Sequence, residues 1–195
     1  MTETERPMNL HGVAKCAQVL LKYALDPSCR GLLHCPGREV VTKGGITIAE
    51  ASPEEREWCA ELMANSEPWT TLGRGLGTCR AACRHAEYLL LVAHAGPAPL
   101  GFILLHPRGV AGSPYVASVA VAPSFRGRGI GALLLGHAEL YFAAGAGHMF
   151  LCVSSFNERA RRLYQRLGYE AVGELKDYII DGASEILMHK RLVRP

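Results

Sequence analysis

The chain has 195 residues, 49% of them hydrophobic, so it can bury a sizeable core and wholesale disorder is excluded. A net charge of +3 suits an anionic ligand but does not point to nucleic acid as a partner, which needs a concentrated basic face. No apolar run reaches the about 18 residues that span a bilayer, so no membrane partner is expected.

The opening segment, Met1 to Pro7, is polar and partly acidic, unlike a signal or transit peptide. Seven cysteines, an odd number, then read as reduced thiols of a cytoplasmic protein. Leu10, Val13, Ala14, Ala17, Leu21, Ala24 and Leu25 recur at helical spacing and predict an amphipathic helix, which Asp26-Pro27 ends. Residues 30–45 read as an irregular connector. Cys29, His34 and Cys35 lie in and beside it, but their spacing matches no zinc pattern with a paired second half, so no metal is expected. Residues 1–44 are therefore a helical extension and linker, docked on the domain or on a second copy in a homodimer, and 46–195 form the domain.

Within the domain, Ile46 to Glu50 alternates like a short strand. Ser52-Pro53-Glu54-Glu55 is a helix start, with an N-cap serine, proline at the first position and glutamates at the positive end of the dipole. That helix runs to about Asn65, before Glu67-Pro68-Trp69 breaks the pattern. A second helix, Leu76 to Ala86, places Cys79 and Cys83 on one face. Gly73-Arg-Gly-Leu-Gly77 mimics a phosphate loop, but no apolar strand precedes it, and it reads as a mobile loop. Strands Tyr88 to Ala95 and Leu100 to His106 flank Gly96-Pro97-Ala98-Pro99 and predict an antiparallel hairpin. Then follow a strand (Tyr115 to Val121), a long helix (Ile130 to about Ala144), a strand (His148 to Val153), a helix (Asn157 to Leu167) and two strands (Gly168 to Glu174 and Glu185 to Lys190) that bend at Asp181-Gly182. The order β-α-α-β-β-β-α-β-α-β-β implies an α/β fold with a mixed sheet and helices on both faces.

Arg126-Gly127-Arg128-Gly129-Ile130-Gly131 joins the Tyr115–Val121 strand to the long helix. Glycines let main chain approach an anion, the helix start offers unpaired N–H groups, and arginine adds bidentate charge. A dinucleotide fold would place such a turn after the first strand and a carboxylate about 20 residues later. A kinase-type P-loop needs Gly-Lys-Ser/Thr. Neither pattern is present, so a different phosphate-bearing ligand is implied.

The run Val119-Ala-Val-Ala-Pro-Ser-Phe-Arg-Gly-Arg-Gly-Ile-Gly131, followed by Asn157-Glu-Arg-Ala160-Arg-Arg-Leu163-Tyr164-Gln-Arg-Leu-Gly168-Tyr169, closely resembles the GNAT superfamily of N-acetyltransferases. The resemblance covers about Ile46 to Leu192, and in part it is to ribosomal-protein N-terminal acetyltransferases. It implies the GNAT fold, acetyl-CoA as co-substrate and a primary amine as acceptor. By this resemblance, Arg126, Gly127, Arg128, Gly129, Ile130, Gly131 and Ala132 cradle the pyrophosphate. Val119, Ala120 and Val121 line the pantetheine arm, with hydrogen bonds to the main chain of Val119 and Val121. Asn157 and Ala160 contact the same arm, though Asn157 also suits the N-cap of its helix. Tyr164 is the implied catalytic acid, protonating the departing thiolate with a phenol near its ordinary pKa of about 10.

The position where relatives carry a basic glutamate holds Cys152, and the alternative carboxylate position holds Ser118. Ordered water, Glu67, Tyr115 and Tyr178 stay open as routes for the acceptor proton, and a base is dispensable for an acceptor amine of low pKa. Residues 67–77 and 177–182 wall the acceptor side by the same resemblance, with Trp69 either an aromatic wall or core. The acceptor is a small amine, or a protein N-terminus or lysine. The missing glutamate leaves a non-catalytic acyl-CoA sensor as the alternative.

Overall fold

A computed structural model describes residues 40–41 and 45–193. The amphipathic helix expected near the N-terminus and the Cys29, His34 and Cys35 group lie outside the described residues. Among the described residues, eight strands and four α-helices follow in the order β1 (Val40–Val41), β2 (Ile46–Glu50), α1 (Pro53–Ala64), α2 (Leu76–Arg84), β3 (Leu89–Ala95), β4 (Ala98–Val110), β5 (Ser113–Val121), α3 (Ile130–Ala143), β6 (His148–Ser154), α4 (Glu158–Arg166), β7 (Glu170–Lys176) and β8 (Ser184–Arg191). A 3-10 turn, Pro123–Phe125, links β5 to the glycine-rich segment.

The strands form one sheet in the order β1-β2-β3-β4-β5-β6-β8-β7. Every neighbouring pair is antiparallel except β5 and β6. From Ile46 onward the order of elements is the expected one. Two details differ. Val40–Val41 pairs with Ile48 and Thr47, so the stretch read as an irregular connector contributes an edge strand. The β3–β4 turn is only Gly96-Pro97, because Ala98 already pairs with Ala95. Gly96 has φ of 57°, the left-handed geometry a two-residue hairpin needs.

The central strands are apolar on both faces because helices cover both. Leu90 and Val92 of β3 and Phe102 and Leu104 of β4 pack with Cys59, Met63, Cys79 and Cys83 of α1 and α2. Leu91, Ala93, Ile103 and Leu105 point the other way, against Ile130, Leu134, Leu135 and Ala138 of α3 and Tyr164 of α4. Strand period two thus divides one sheet between two cores. Each large buried side chain contributes about 1.5–3 kcal/mol. Trp69, one of the two readings for which was an acceptor wall, belongs to the α1/α2 core.

Helix α1 begins where its residues demand. The Ser52 hydroxyl accepts from the Glu55 N–H (3.2 Å), and the Glu55 carboxylate accepts from the Ser52 N–H (2.8 Å). This reciprocal cap satisfies two donors that the first turn leaves unpaired. Ser52→Ala is expected to lower unfolding free energy by about 1 kcal/mol, read as a lower urea midpoint with an unchanged m-value. An unchanged midpoint would contradict the cap.

Candidate active site

Strands β5 and β6 pair at only two positions, Tyr115 with Phe150 and Val116 with Leu151, although they run on to Val121 and Ser154. The cause lies on the other edge of β5. There the β4 register shifts, with Leu104 opposite Ser118 and Leu105 opposite Val116, so that Ala117 is an extra residue. Such a bulge bends the strand that carries it. It stands immediately after the last β5–β6 pair. The Ser118 hydroxyl donates to the Ala117 carbonyl (2.7 Å), bracing the bulge. Meanwhile β6 stays paired with β8 without a register shift from His148 to Ser154. The two strands therefore part, and a gap opens between them.

Main-chain direction on β5 follows from one hydrogen bond. The Ala122 N–H donates to the Leu100 carbonyl of the β4 side (2.9 Å). With period two, Ala120 also turns its N–H and C=O toward β4, whereas Val119 and Val121 turn theirs to the gap. Of the three β5 residues implied as pantetheine contacts, Val119 and Val121 face the opening. Ala120 does not: its main chain serves β4 and its side chain is buried in the α1/α2 core.

At the end of the gap lies the glycine-rich turn. Gly127 and Gly129 have φ of 79° and 81°, in the left-handed region that glycine tolerates. Gly129 is the N-cap of α3, with no side-chain cap. The first intrahelical bond runs from the Leu133 N–H to the Gly129 carbonyl (3.0 Å), so Ile130, Gly131 and Ala132 present N–H groups without helical acceptors. Arg126 anchors this turn from within. Its Nε donates to the Val121 carbonyl (3.0 Å), and its Nη2 donates to the buried Ser66 hydroxyl (3.2 Å). The Arg128 guanidinium lies 5.5 Å from the centre of the Phe125 ring. On α4, Arg162 pairs with Glu158 (2.8 Å) on an exposed face.

Helix α4 carries the second block. The Asn157 side chain accepts from the Ala160 N–H (3.2 Å), which makes Asn157 the N-cap and occupies the Ala160 donor. Its side-chain amide N–H groups are not needed for that cap. Three residues of the helix interior, Ala160, Leu163 and Tyr164, pack in the same core as Val119, Val121 and Val153. The Tyr164 ring is 7% exposed. Burial pushes its phenol up to about 12, above the ordinary value expected from sequence.

The opposite sheet face at the gap is polar. Met149, Leu151 and Val153 of β6 face α3, so Cys152 and Ser154 face the other way. Half-buried Tyr115 faces them from β5. Its phenol is raised well above the ordinary value by burial, with the adjoining Cys152 thiol and Glu185 carboxylate adding to the shift. Glu185 of β8 pairs with Ser154 and is 7% exposed. The Ser154 hydroxyl donates to Glu185 Oε1 (2.5 Å). Burial holds the Glu185 carboxyl above the usual range, opposed by the Ser154 bond and by Arg74. Sequence reading placed Glu185 only at a strand start. The available signal was the alternation, which puts a carboxylate one position from apolar Ile186 on a central strand.

Glu67, open as a base, is exposed and engaged by Thr70 and Thr71, which hold its carboxyl below the usual range. The Gly73–Gly77 segment is tied by main-chain bonds from Gly73 to Thr70 (3.1 Å) and from Arg74 to Trp69 (2.9 Å), and Gly75 caps α2. Among the described residues, no group of three His, Cys, Asp or Glu side chains is placed to hold a metal ion, and no helix is long and apolar enough to cross a membrane.

Two glycines of this region have opposite expected effects. A Cβ at either Gly129 or Gly136 meets nothing within 4 Å. Gly129→Ala is strained by its positive φ and should cost about 1–2 kcal/mol. Gly136→Ala, within α3, should stabilise by about 0.5–1 kcal/mol. Chemical denaturation of both variants checks the sign; a stabilised Gly129→Ala would contradict the left-handed cap.

Comparison with known proteins adds to this geometry. The sequence profile described as the Acetyltransferase (GNAT) family matches residues 50–169. An uncharacterized protein of Mycobacterium leprae is 33% identical over 158 residues, 74% of this chain. The chain spans only 40% of that relative's length. The N-alpha-acetyltransferase RimI of Mycobacterium tuberculosis is 32% identical over 165 residues, 78% of this chain and 93% of its own. A solved GNAT-family structure from Desulfovibrio desulfuricans has a TM-score of 0.64 at 18% identity, covering 76% of this chain and 99% of that one, a likeness of fold.

Proposed function

The chain belongs to the GNAT acetyltransferase family, and on that premise we propose that it transfers the acetyl group of acetyl-CoA directly to a primary amine. We place first the α-amino group of a polypeptide, because the Mycobacterium tuberculosis relative, matched over 93% of its length, is an N-alpha-acetyltransferase. The observation that carries the reading is the gap: two strands paired at two positions and then parted, with the main chain of Val119 and Val121 facing it and a helix start at its end.

Each part has a chemical use. The Val119 N–H and C=O and the Val121 N–H complete an unfinished sheet edge with the amide-bearing pantetheine arm. An N–H of the same strand polarises the thioester carbonyl, so negative charge that develops on its oxygen meets a fixed donor. The N–H groups of Ile130, Gly131 and Ala132, at the positive end of α3, receive the diphosphate. Holding amine and thioester together removes the entropy cost of their encounter.

Tyr164 serves the leaving group. Burial raises the Tyr164 phenol to about 12, which disfavours release of its proton. We therefore assign Tyr164 as a hydrogen-bond donor to the departing sulfur rather than as its proton source.

A panel of trialanine amide, Nα-acetyl-lysine amide and kanamycin with acetyl-CoA, followed by free-thiol release, tests this reading. Turnover is expected, fastest with trialanine amide. Tyr164→Phe should lower kcat about 10–100-fold, the loss of one hydrogen bond to a charged group, and leave the acetyl-CoA Kd within about threefold. Acetyl-CoA binding without thiol release from any of the three would make the protein an acyl-CoA sensor instead.

A further inference from the structure

We propose that Glu185 is the general base of this reaction, taking a proton from the ammonium form of the acceptor at the mouth of the β5–β6 gap. The inference rests on the acetyl-transfer reading above. It supplies the missing base, since Cys152 and Ser118 stand at the two positions where the family resemblance places a carboxylate and Ser118 is committed to the Ala117 bulge.

Placement is the first argument. Tyr164 lies in the core on one side of the sheet with Val119, Val121 and Val153. Glu185 lies on the other side, paired with Ser154 at the end of β6 where that strand has left β5. A thioester held in the gap would thus have its leaving-group donor on one sheet face and a carboxylate on the other. The ends of β6 and β8 are locked: the Ser155 N–H donates to the Ser184 carbonyl (2.7 Å), and the Ser184 N–H donates to the Ser155 hydroxyl (3.1 Å).

Availability is the second. Oε1 is occupied by Ser154. Among the described residues, Oε2 makes no hydrogen bond. One oxygen is oriented by Ser154, and the proposal assigns the other to the incoming ammonium. A buried carboxylate with this division is poorly explained by stability, because its charge is desolvated and, among the described residues, no cation is hydrogen-bonded to it. Among the described residues, the groups that face it are Ser154 and Cys152 of β6, Tyr115 of β5, and Arg74 from the turn before α2; Leu175, opposite on β7, brings no charge.

The proton balance closes. Glu185 takes one proton from R–NH3+, freeing the nitrogen lone pair. Nitrogen bonds to the thioester carbon, and the C–S bond breaks with its electron pair on sulfur. The second nitrogen proton passes to the thiolate, and Glu185 releases its own to solvent. The products are the N-acetyl amide, CoA thiol and one proton.

Glu185→Gln keeps the shape and the acceptor for Ser154. Because the folded carboxyl titrates above its unfolded value, ionisation costs stability as pH rises through that window, and glutamine removes this cost. The variant should therefore keep or raise its Tm at pH 7 and keep its acetyl-CoA Kd, while kcat/KM falls about 100-fold or more for the best acceptor of the panel. O-methylhydroxylamine, whose nitrogen is unprotonated at neutral pH, should be acetylated within about threefold of the unchanged protein, since it needs no base. Equal losses with both nucleophiles, or no loss, would overturn the proposal. Ser154→Ala is the second variant: without the bond that lowers the carboxyl, the acidic limb of kcat/KM should move to higher pH, and an unmoved limb counts against Glu185. Turnover by the unchanged protein with an unaffected Glu185→Gln removes only this assignment. Absence of turnover by the unchanged protein on all panel amines removes the acetyl-transfer reading and this inference with it.

Discussion

The site depends on the parting of two strands that begin as neighbours. A parallel pair with both partners central to a sheet normally continues, because each unpaired N–H or C=O that is left behind loses a hydrogen bond. Here Ala117 is inserted against β4 immediately after Val116 makes the last contact with β6. From there β5 follows β4 and β6 follows β8. The sheet keeps its two cores, and the main chain between the diverging strands is left available to a ligand that resembles a strand.

The surroundings make that gap usable. The β5 strand leads through a short 3-10 turn to a helix start whose glycines adopt left-handed geometry, so unpaired amides gather beyond its end. Arg126, which sequence alone reads as a phosphate contact, also joins the turn to Val121 and Ser66. Asn157, read as a ligand contact with capping as the plainer use, is the cap. In both cases a side chain suited to a ligand holds the scaffold in place. Chemistry then divides by sheet face: Tyr164 is set in the α3/α4 core on one face, and Tyr115, Cys152, Ser154 and Glu185 line the other.

Much of this was legible in the residues. Period-two apolar runs, the Ser52 cap, Gly96-Pro97 and the glycine turn mark every element from Ile46 onward, because each signal is local. What was not legible depends on partners distant in sequence. Ala117 has the same composition as its neighbours, and only the β4 register makes it a bulge. Val40–Val41 is a strand because β2 offers an edge, a fact no local pattern carries. Glu185 becomes part of a polar cluster only through its pairing with Ser154, and the high phenol pKa of Tyr164 comes from burial that its helix cannot reveal. Trp69 had two local readings, and packing with α1 and α2 decides for the core.

The most direct test of the account is residue-resolved amide hydrogen exchange of the full chain with and without coenzyme A. The Val119 and Val121 amides, which face the gap, should slow markedly when coenzyme A is added, while the Ala120 amide, already turned to β4, should change little. Equal protection at all three, or none at Val119 and Val121, would contradict a ligand paired along that strand.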